Sequence, residues 1–144
     1  MMILNVPAIT SPITLTTGPM ILFRDGPPLN ATVQAAFGYG SGGTSWDAWI
    51  QTSLDAGLTW EDVAQFHGTT AALRAFYNLS ALTVVTTQQA ATDGTLAANT
   101  ALSGVLGAHW RVKYQTTGTY VASSLRVDIE GAWSRATLRA GLTS

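Results

Sequence analysis

The stretch Ser53-Leu54-Asp55-Ala56-Gly57-Leu58-Thr59-Trp60 decides the fold prediction for this chain. Its pattern is S-x-D-x-G-x-T-W, and each fixed position suits a tight β-hairpin. Asp55 can bend back and accept hydrogen bonds from the amides of its own turn. Gly57 can take a backbone angle that a side chain disfavours. Thr59 begins the returning strand, and Trp60 supplies a large apolar ring beneath the turn.

This octapeptide resembles the Asp-box of sialidases and of many other secreted or surface β-proteins. In those families the box is a folding device that lies away from the catalytic residues, and it usually recurs in several copies. Here it occurs once in 144 residues. The resemblance implies an all-β chain and a structural role for the box. A calcium site at Asp55 is the weaker alternative, because Ca²⁺ takes six to eight oxygens and this loop offers few charged ones.

The hydrophobic pattern on both sides of the box predicts an antiparallel β-sandwich or jelly roll of about seven or eight strands. Apolar and polar residues alternate with a period of two in five runs. These runs are residues 31–37, 46–54, 73–79, 110–115 and 125–130. Turn residues separate the runs, and no long helical pattern competes with them.

Two finer predictions follow from the same alternation. Residues 110–115 and 125–130 are expected to form a second hairpin, with Arg111 and Lys113 facing the acids of the other strand. The tryptophans at positions 46, 60 and 110 are expected to point into the core. Trp49 is expected to face outward.

The chain is divided into an N-terminal segment, residues 1–19, and the sandwich domain, residues 20–144. Residues 1–19 are predicted to be an extended arm, since Pro7 and Pro12 exclude a helix. Two alternatives are open for this arm: it pairs with a neighbouring subunit, or it forms a strand of the domain's own sheet. The tail of the domain, residues 132–144, carries Trp133, Arg135 and Arg139 and either continues the last strand or forms a contact arm.

Two connections are candidate contact elements. The loop from Gly38 to Gly43 is rich in glycine. The connection from Gln88 to Gly107 is long for a compact domain, and such connections are usually functional. Its second half has room for one short helical turn.

The composition excludes several classes of function. Charged residues make up 10% of the chain, the net charge is −1, and there is no basic run, so nucleic-acid binding is not expected. With no cysteine, disulfides and thiolate metal sites are excluded. The N-terminal segment resembles neither a signal peptide nor a membrane span. A surface of such low charge favours association into a homo-oligomer or an assembly.

No catalytic constellation is evident. The two histidines, His67 and His109, are interpreted as surface residues, and neither has a second ligand at metal-site spacing. Asp47 and Glu61 could meet across the box hairpin, but a glycosidase needs its carboxylate pair in a cleft. We therefore predict that the chain is not an enzyme and that it carries no cofactor and no metal.

Three segments together resemble small structural proteins of tailed bacteriophages. They are residues 44–60 (TSWDAWIQTSLDAGLTW), 93–100 (DGTLAANT) and 110–120 (WRVKYQTTGTY), about a quarter of the chain. The resemblance implies a virion β-sandwich that is assembled in the host cytoplasm and contacts the major capsid protein or other virion subunits. It carries over no catalytic residue.

The leading functional prediction is a capsid decoration or cement protein that acts through many weak contacts repeated by symmetry. A neck or tail subunit is the related alternative. The residues predicted to lie at interfaces are Pro7, Pro12, Tyr39, Trp49 and Leu106.

A carbohydrate-binding or receptor-binding module is the alternative from a different class. In that case Trp49 and Tyr39 would stack on sugar rings, with Asp47 and Gln51 beside them.

Overall fold

A computed structural model describes residues 1–133 of the chain, and these residues form eleven β-strands and no helix. Of the predicted tail, residues 132–144, the structure describes Ala132, which ends the last strand, and Trp133. The rest of the tail, with Arg135 and Arg139, lies outside the described residues. The strands are β1 (Met2–Ile9), β2 (Ile13–Thr17), β3 (Ile21–Leu22), β4 (Asn30–Gly38), β5 (Ser41–Gly42), β6 (Ser45–Ser53), β7 (Glu61–Gly68), β8 (Leu73–Ser80), β9 (His109–Thr117), β10 (Tyr120–Val121) and β11 (Ser123–Ala132).

The eight long strands form two antiparallel sheets that pack face to face. Sheet I has the order β1-β11-β4-β8, and sheet II has the order β2-β9-β6-β7, with β3 also paired to β9. The first long strand pairs with the last, the second with the seventh, the third with the sixth, and the fourth with the fifth. This winding is that of a jelly roll. The predicted all-β sandwich class is therefore confirmed, and the three strands beyond the predicted eight are two-residue pieces.

The core lies between the sheets and follows the period-two alternation of the sequence. Every second residue of β4 and β11 points inward from sheet I, and the facing positions of β6 and β9 point inward from sheet II. The central inward residues are 0–3% exposed: Ala31, Val33, Ala35, Phe37, Trp46, Ala48, Ile50, Trp110, Val112, Leu125, Val127 and Ile129. Phe37 stacks on Trp46 across the interior with ring centroids 5.0 Å apart, which joins the two layers.

The prediction of a second hairpin is wrong. Residues 110–115 lie in β9 of sheet II, whereas residues 125–130 lie in β11 of sheet I. The chain does not turn back after β9. It runs through the short β10, which pairs with β5, and Ala122 then takes a positive φ of 51° at the crossing to sheet I. The basic residues of β9 and the acids of β11 therefore lie on opposite faces of the sandwich.

The first nineteen residues form strands of the domain's own sheets, the second of the two alternatives. β1 pairs with β11 at the edge of sheet I, and β2 pairs with β9 at the edge of sheet II. The chain changes sheets at Thr10–Pro12. The terminal ammonium of Met1 donates to the carbonyl oxygen of Ile129 at 2.8 Å, which ties the start of the chain to the last strand.

Candidate functional site

The Asp-box sequence closes the β6–β7 hairpin. The Asp55 carboxylate accepts hydrogen bonds from the Thr59 amide (2.7 Å), the Thr59 hydroxyl and the Ser53 hydroxyl (2.8 Å). The hydrogen bonds from Thr59 lower the pKa of Asp55 to about 2. Ala56 and Gly57 take φ values of 60° and 91°, the left-handed region in which glycine is the least strained residue. Asp55 thus caps its own turn.

Trp60 was predicted to point into the core, and this prediction is wrong. Its indole N–H donates to the carbonyl oxygen of Gly57 at 3.1 Å, and the Arg111 guanidinium lies 4.3 Å from the ring centroid. Because a register shift between Ile50 and Gln51 interrupts the β6–β7 pairing, simple alternation does not carry across the hairpin. The side chain stays beneath the turn, on the outer side of sheet II.

Residues 81–108, here called the covering segment, lie on the outer face and free edge of sheet II. Backbone hydrogen bonds attach the segment to β7: the Gln65 amide donates to the Thr100 carbonyl, and the Leu102 amide donates to the Val63 carbonyl, both at 2.8 Å. The segment contains no helical turn. Most of the Gln88–Gly107 connection, which was predicted to contact other subunits, therefore contacts sheet II of its own chain.

Asp62 is the main anchor of the covering segment. Its side chain is buried, with the residue 2% exposed. The carboxylate accepts hydrogen bonds from the amides of Gly94, Thr95 and Leu96 at 2.9–3.1 Å and from the Thr92 hydroxyl at 2.8 Å. Donors to an ionised acceptor form strong hydrogen bonds. Asp62 therefore acts as a structural residue that organises a loop.

Trp49 is buried against the covering segment, which makes its predicted exposure wrong. The residue is 7% exposed, and its indole N–H donates to the Leu96 carbonyl at 3.0 Å. Alternation placed it correctly on the outer face, but that face is covered. Leu106, another predicted interface residue, is 6% exposed and belongs to the core cluster. Neither residue is available to a partner or a sugar in this structure.

A charged cluster completes the covered face. Lys113 Nζ lies 2.7 Å from Asp93 Oδ1, and Arg111 lies 3.5 Å from the same oxygen. Gln51 donates to Asp93 at 2.6 Å and accepts from Arg111 at 2.8 Å. Burial raises the pKa of Asp93, but hydrogen bonds from Lys113 and Gln51 and the two positive charges outweigh it, so the pKa is lowered overall. The cluster ties the covering segment to β6 and β9.

Asp47 and Glu61, which could have met across the box hairpin, do not do so. Asp47 lies opposite His67 in the β6–β7 ladder, and Glu61 lies opposite Thr52. Asp47 Oδ1 is 2.8 Å from His67 Nδ1 and accepts from Gln65 at 2.9 Å. His67 is a strand residue whose side chain is one-third exposed. Within residues 1–133, no serine or threonine hydroxyl is hydrogen-bonded to it.

The outer face of sheet I is open in the described structure. It carries alternate residues of β4, β8 and β11, and the ion pair between Arg126 and Asp128 (2.8 Å) lies on it. Phe76 of β8 points outward and is 69% exposed. A groove of about 710 Å³ crosses this face from Pro7 to Arg74, over the small residues near the end of β4. This face is the strongest candidate contact surface of the described chain.

The remaining predicted interface residues divide between the surface and the core. Pro7 and Pro12 are exposed. Tyr39 is half-buried, stacks near Phe37 and donates its hydroxyl hydrogen to the Gly42 carbonyl at 3.1 Å. Phe76 was not among the interface residues predicted from the sequence. A lone apolar residue on the outer side of an edge strand is the signal that could have singled it out.

The four edge strands of the two sheets are protected to different degrees. β1 contains Pro7 and two register shifts, β2 has five residues and one shift, and β7 is bonded to the covering segment. β8 has eight residues, no proline, an unbroken register with β4 and one charged residue, Arg74. Natural proteins usually protect edges that lack partners. Among the described strands, β8 is the edge most suited to pairing with another chain.

Comparison of the chain with family models, curated proteins and solved structures finds no match. No helix of residues 1–133 is long and apolar enough to cross a membrane. Within the same residues, no three histidines, cysteines, aspartates or glutamates come together in a way that could hold a metal ion.

Proposed function

We propose that this chain is a non-enzymatic structural subunit of a tailed-phage particle, a capsid decoration protein that binds the assembled shell. The open face of sheet I and the β8 edge would make the contact. The major capsid protein is the proposed partner, and an extended segment of that protein would add to β8 as a further strand.

The contrast between the two outer faces carries this proposal. One face is covered by the chain's own segment through hydrogen bonds to buried polar groups such as Asp62, whereas the other has a largely exposed Phe76 and the β8 edge, which Ser103 covers at Ser80. Low overall charge reduces repulsion between neighbouring subunits. Jelly rolls recur in viral capsid proteins, although a fold alone does not define a function.

Binding to shells tests the proposal directly. The purified chain is mixed with phage shells assembled without it, and the bound fraction is measured by co-sedimentation. We expect Phe76→Arg to weaken shell binding by about tenfold or more, because a charge would be buried at the contact. Leu58→Arg is the matched control: Leu58 is 84% exposed, but it lies at the Asp-box turn, so we expect unchanged binding.

Three outcomes would contradict the proposal. The wild-type chain could fail to bind shells and remain monomeric, Phe76→Arg could bind as well as wild type, or both variants could lose binding equally. Binding to isolated neck or tail complexes instead of shells would mean that the subunit lies at the neck or tail. The same surface would then make the contact there. Binding to a polysaccharide would favour a glycan module, although not one that stacks through the buried Trp49.

A further inference from the structure

A cavity of about 500 Å³, here called the hairpin cavity, opens between the Asp-box hairpin, the β7 edge and the covering segment. Most of its wall is apolar, and its largest apolar side chains are Leu54, Val63, Val85, Leu102 and Val105. Leu54 and Val85 are 67% and 45% exposed, which places them at its mouth. A cavity of this size and apolar character is typical of sites for small organic ligands.

Hydrogen bonds of the covering segment fix the walls of the hairpin cavity. The Leu102 amide donates to the Val63 carbonyl at 2.8 Å, which joins two of the walls. The Ser103 hydroxyl donates to the Ser80 carbonyl at 3.0 Å and holds the end of the segment against sheet I. Because the chain builds these walls from its own contacts, the cavity is preformed, and a preformed site loses little conformational entropy on binding.

Two carboxylates that are adjacent in sequence line the hairpin cavity, and their environments differ. Asp62 accepts hydrogen bonds from the covering segment, so its charge is already stabilised. Glu61 Oε1 is buried, and no residue in the described part of the chain is hydrogen-bonded to it. None of the ion pairs within residues 1–133 involves Glu61. A buried carboxylate oxygen without a donor is destabilising, so Glu61 is the polar group that a ligand can stabilise.

The charge around Glu61 favours a positively charged ligand. Among the described residues that line the cavity there is no lysine, arginine or histidine. Burial, and then the negative charge of Asp55, raise the pKa of Glu61. A cation beside this carboxylate would compensate its charge and donate hydrogen bonds to it. An organic cation fits better than a metal ion, because a metal ion such as Ca²⁺ needs several oxygen ligands and most of this wall is apolar.

We propose that the hairpin cavity binds a small organic cation, an amine with an aliphatic or aromatic body, whose ammonium group pairs with the Glu61 carboxylate. The apolar body of the ligand lies against the wall that contains Val63, Val85 and Leu102. This inference goes beyond the proposed function and does not depend on it, because it concerns a ligand of the isolated subunit. Shell binding and amine binding can therefore succeed or fail separately.

Titration of the full chain with phenethylamine, which is positively charged at neutral pH, tests the proposal. Binding is followed by NMR through the methyl signals of Leu54, Val63, Val85 and Leu102. Phenethyl alcohol and phenylpropionate are the neutral and anionic comparisons, since they keep the aromatic body and change the charge. We expect saturable shifts with the amine, an affinity lower by about tenfold or more for the alcohol, and no saturation with the carboxylate.

A pair of variants tests the role of the carboxylate. Glu61→Gln keeps the size of the side chain and removes its charge, so the affinity for phenethylamine should fall about tenfold. The affinity for phenethyl alcohol should stay within about twofold in the same variant, which separates loss of the charge from damage to the cavity. Glu130→Gln is the matched control, because Glu130 is an exposed carboxylate on sheet I, and it should leave both affinities unchanged.

A second pair of variants tests the apolar part of the site. Ala90→Phe places a large side chain in the cavity wall and should weaken phenethylamine binding about fivefold or more by filling the space. Ala97→Phe is the matched control, since Ala97 is an exposed residue of the covering segment that does not line the cavity. Because both alanines are exposed, both variants should fold.

Three outcomes overturn the proposal. Absence of saturable shifts at the cavity methyl groups below about 10 mM phenethylamine would mean that the cavity is not a ligand site. Equal affinities for the amine and the alcohol would show that the site does not recognise a positive charge. An unchanged affinity for phenethylamine in Glu61→Gln would show that this carboxylate does not contact the ligand.

Discussion

The outer faces of the two sheets carry similar polar residues but have opposite environments. On sheet II, Gln51, Asp62 and Gln65 are 0%, 2% and 1% exposed. On sheet I, Thr32, Arg126 and Glu130 are exposed. The difference comes from the covering segment and not from the strands themselves. A polar alternation therefore identifies the outer face of a strand, but it does not show whether solvent reaches that face.

The covered face also shows how such a face stays stable without being apolar. A buried polar group is destabilising unless it is hydrogen-bonded. Asp62 meets this condition with three successive amides of the covering segment, and Gln65 meets it through Asp47 and the Asn99 amide. The open face has no such set of backbone donors above it in the described structure. Substitutions on the two faces should therefore have different consequences.

The largest expected effect is that of Trp49→Ala on the covered face. Removing a buried indole and its hydrogen bond to Leu96 should lower the free energy of unfolding by about 3–5 kcal/mol. Chemical denaturation measures the change. Trp49→Phe keeps most of the volume and should lose about 1–2 kcal/mol, the hydrogen-bond part. A loss below 1 kcal/mol for Trp49→Ala would mean that this face is not closed in solution.

Asp62→Asn should have the next largest effect, a loss of about 2–4 kcal/mol, because several donors would lose a charged acceptor. Hydrogen exchange should show lost protection at the amides of Gly94, Thr95 and Leu96. The control is Asp128→Asn on the open face, where a change within about 0.5 kcal/mol is expected. Equal effects for the two variants would contradict the assignment of Asp62 as the anchor.

Asp55 gives a pH-dependent test of the hairpin beneath the covered face. Its pKa is lowered from 3.8 to about 2 in the folded state, so its contribution to stability is complete above about pH 5 and is lost as the pH falls towards 2. The Tm difference between wild type and Asp55→Asn should be constant above about pH 5 and should shrink between pH 4 and 2. A difference that stays constant down to pH 2 would contradict the self-capped turn.

The smallest expected change in stability is that of Phe76→Arg on the open face. Because Phe76 is 69% exposed, the free energy of unfolding should stay within about 0.5 kcal/mol of wild type. Thermal unfolding of the isolated chain measures it, and the same variant should lose shell binding. Destabilisation by 2 kcal/mol or more would show that Phe76 is part of the fold and not part of a contact surface.

Local patterns in the sequence were sufficient to predict the fold class and the structure of the Asp-box turn. The alternation of Ala31, Val33, Ala35 and Phe37 predicted the inward face of β4, which is buried as expected. The residues of the Asp-box satisfy one another within a few positions, so no distant partner is needed to define the turn. Such features depend on neighbours in sequence, which is why they could be predicted.

The candidate sites were harder to predict, because they depend on which strands become neighbours. The basic residues at positions 111 and 113 were assigned to the acids of the nearest following strand. In the structure they contact Asp93 of the covering segment, and β11 belongs to the other sheet. The expected exposure of Trp49 failed for the same reason, since the covering segment is distant from β6 in sequence.

By itself, the amino-acid sequence determined the β-class, the inward residues and the self-capped turn, since these follow from side-chain alternation and from hydrogen bonds within a few residues. The tertiary structure alone decided the strand order, the covered face, the open β8 edge and the unpaired Glu61 oxygen. These depend on contacts between residues far apart in the chain. Many pairings can satisfy the same local pattern, and the one adopted buries both inward faces and provides partners for the buried Gln51, Asp62 and Gln65 of sheet II.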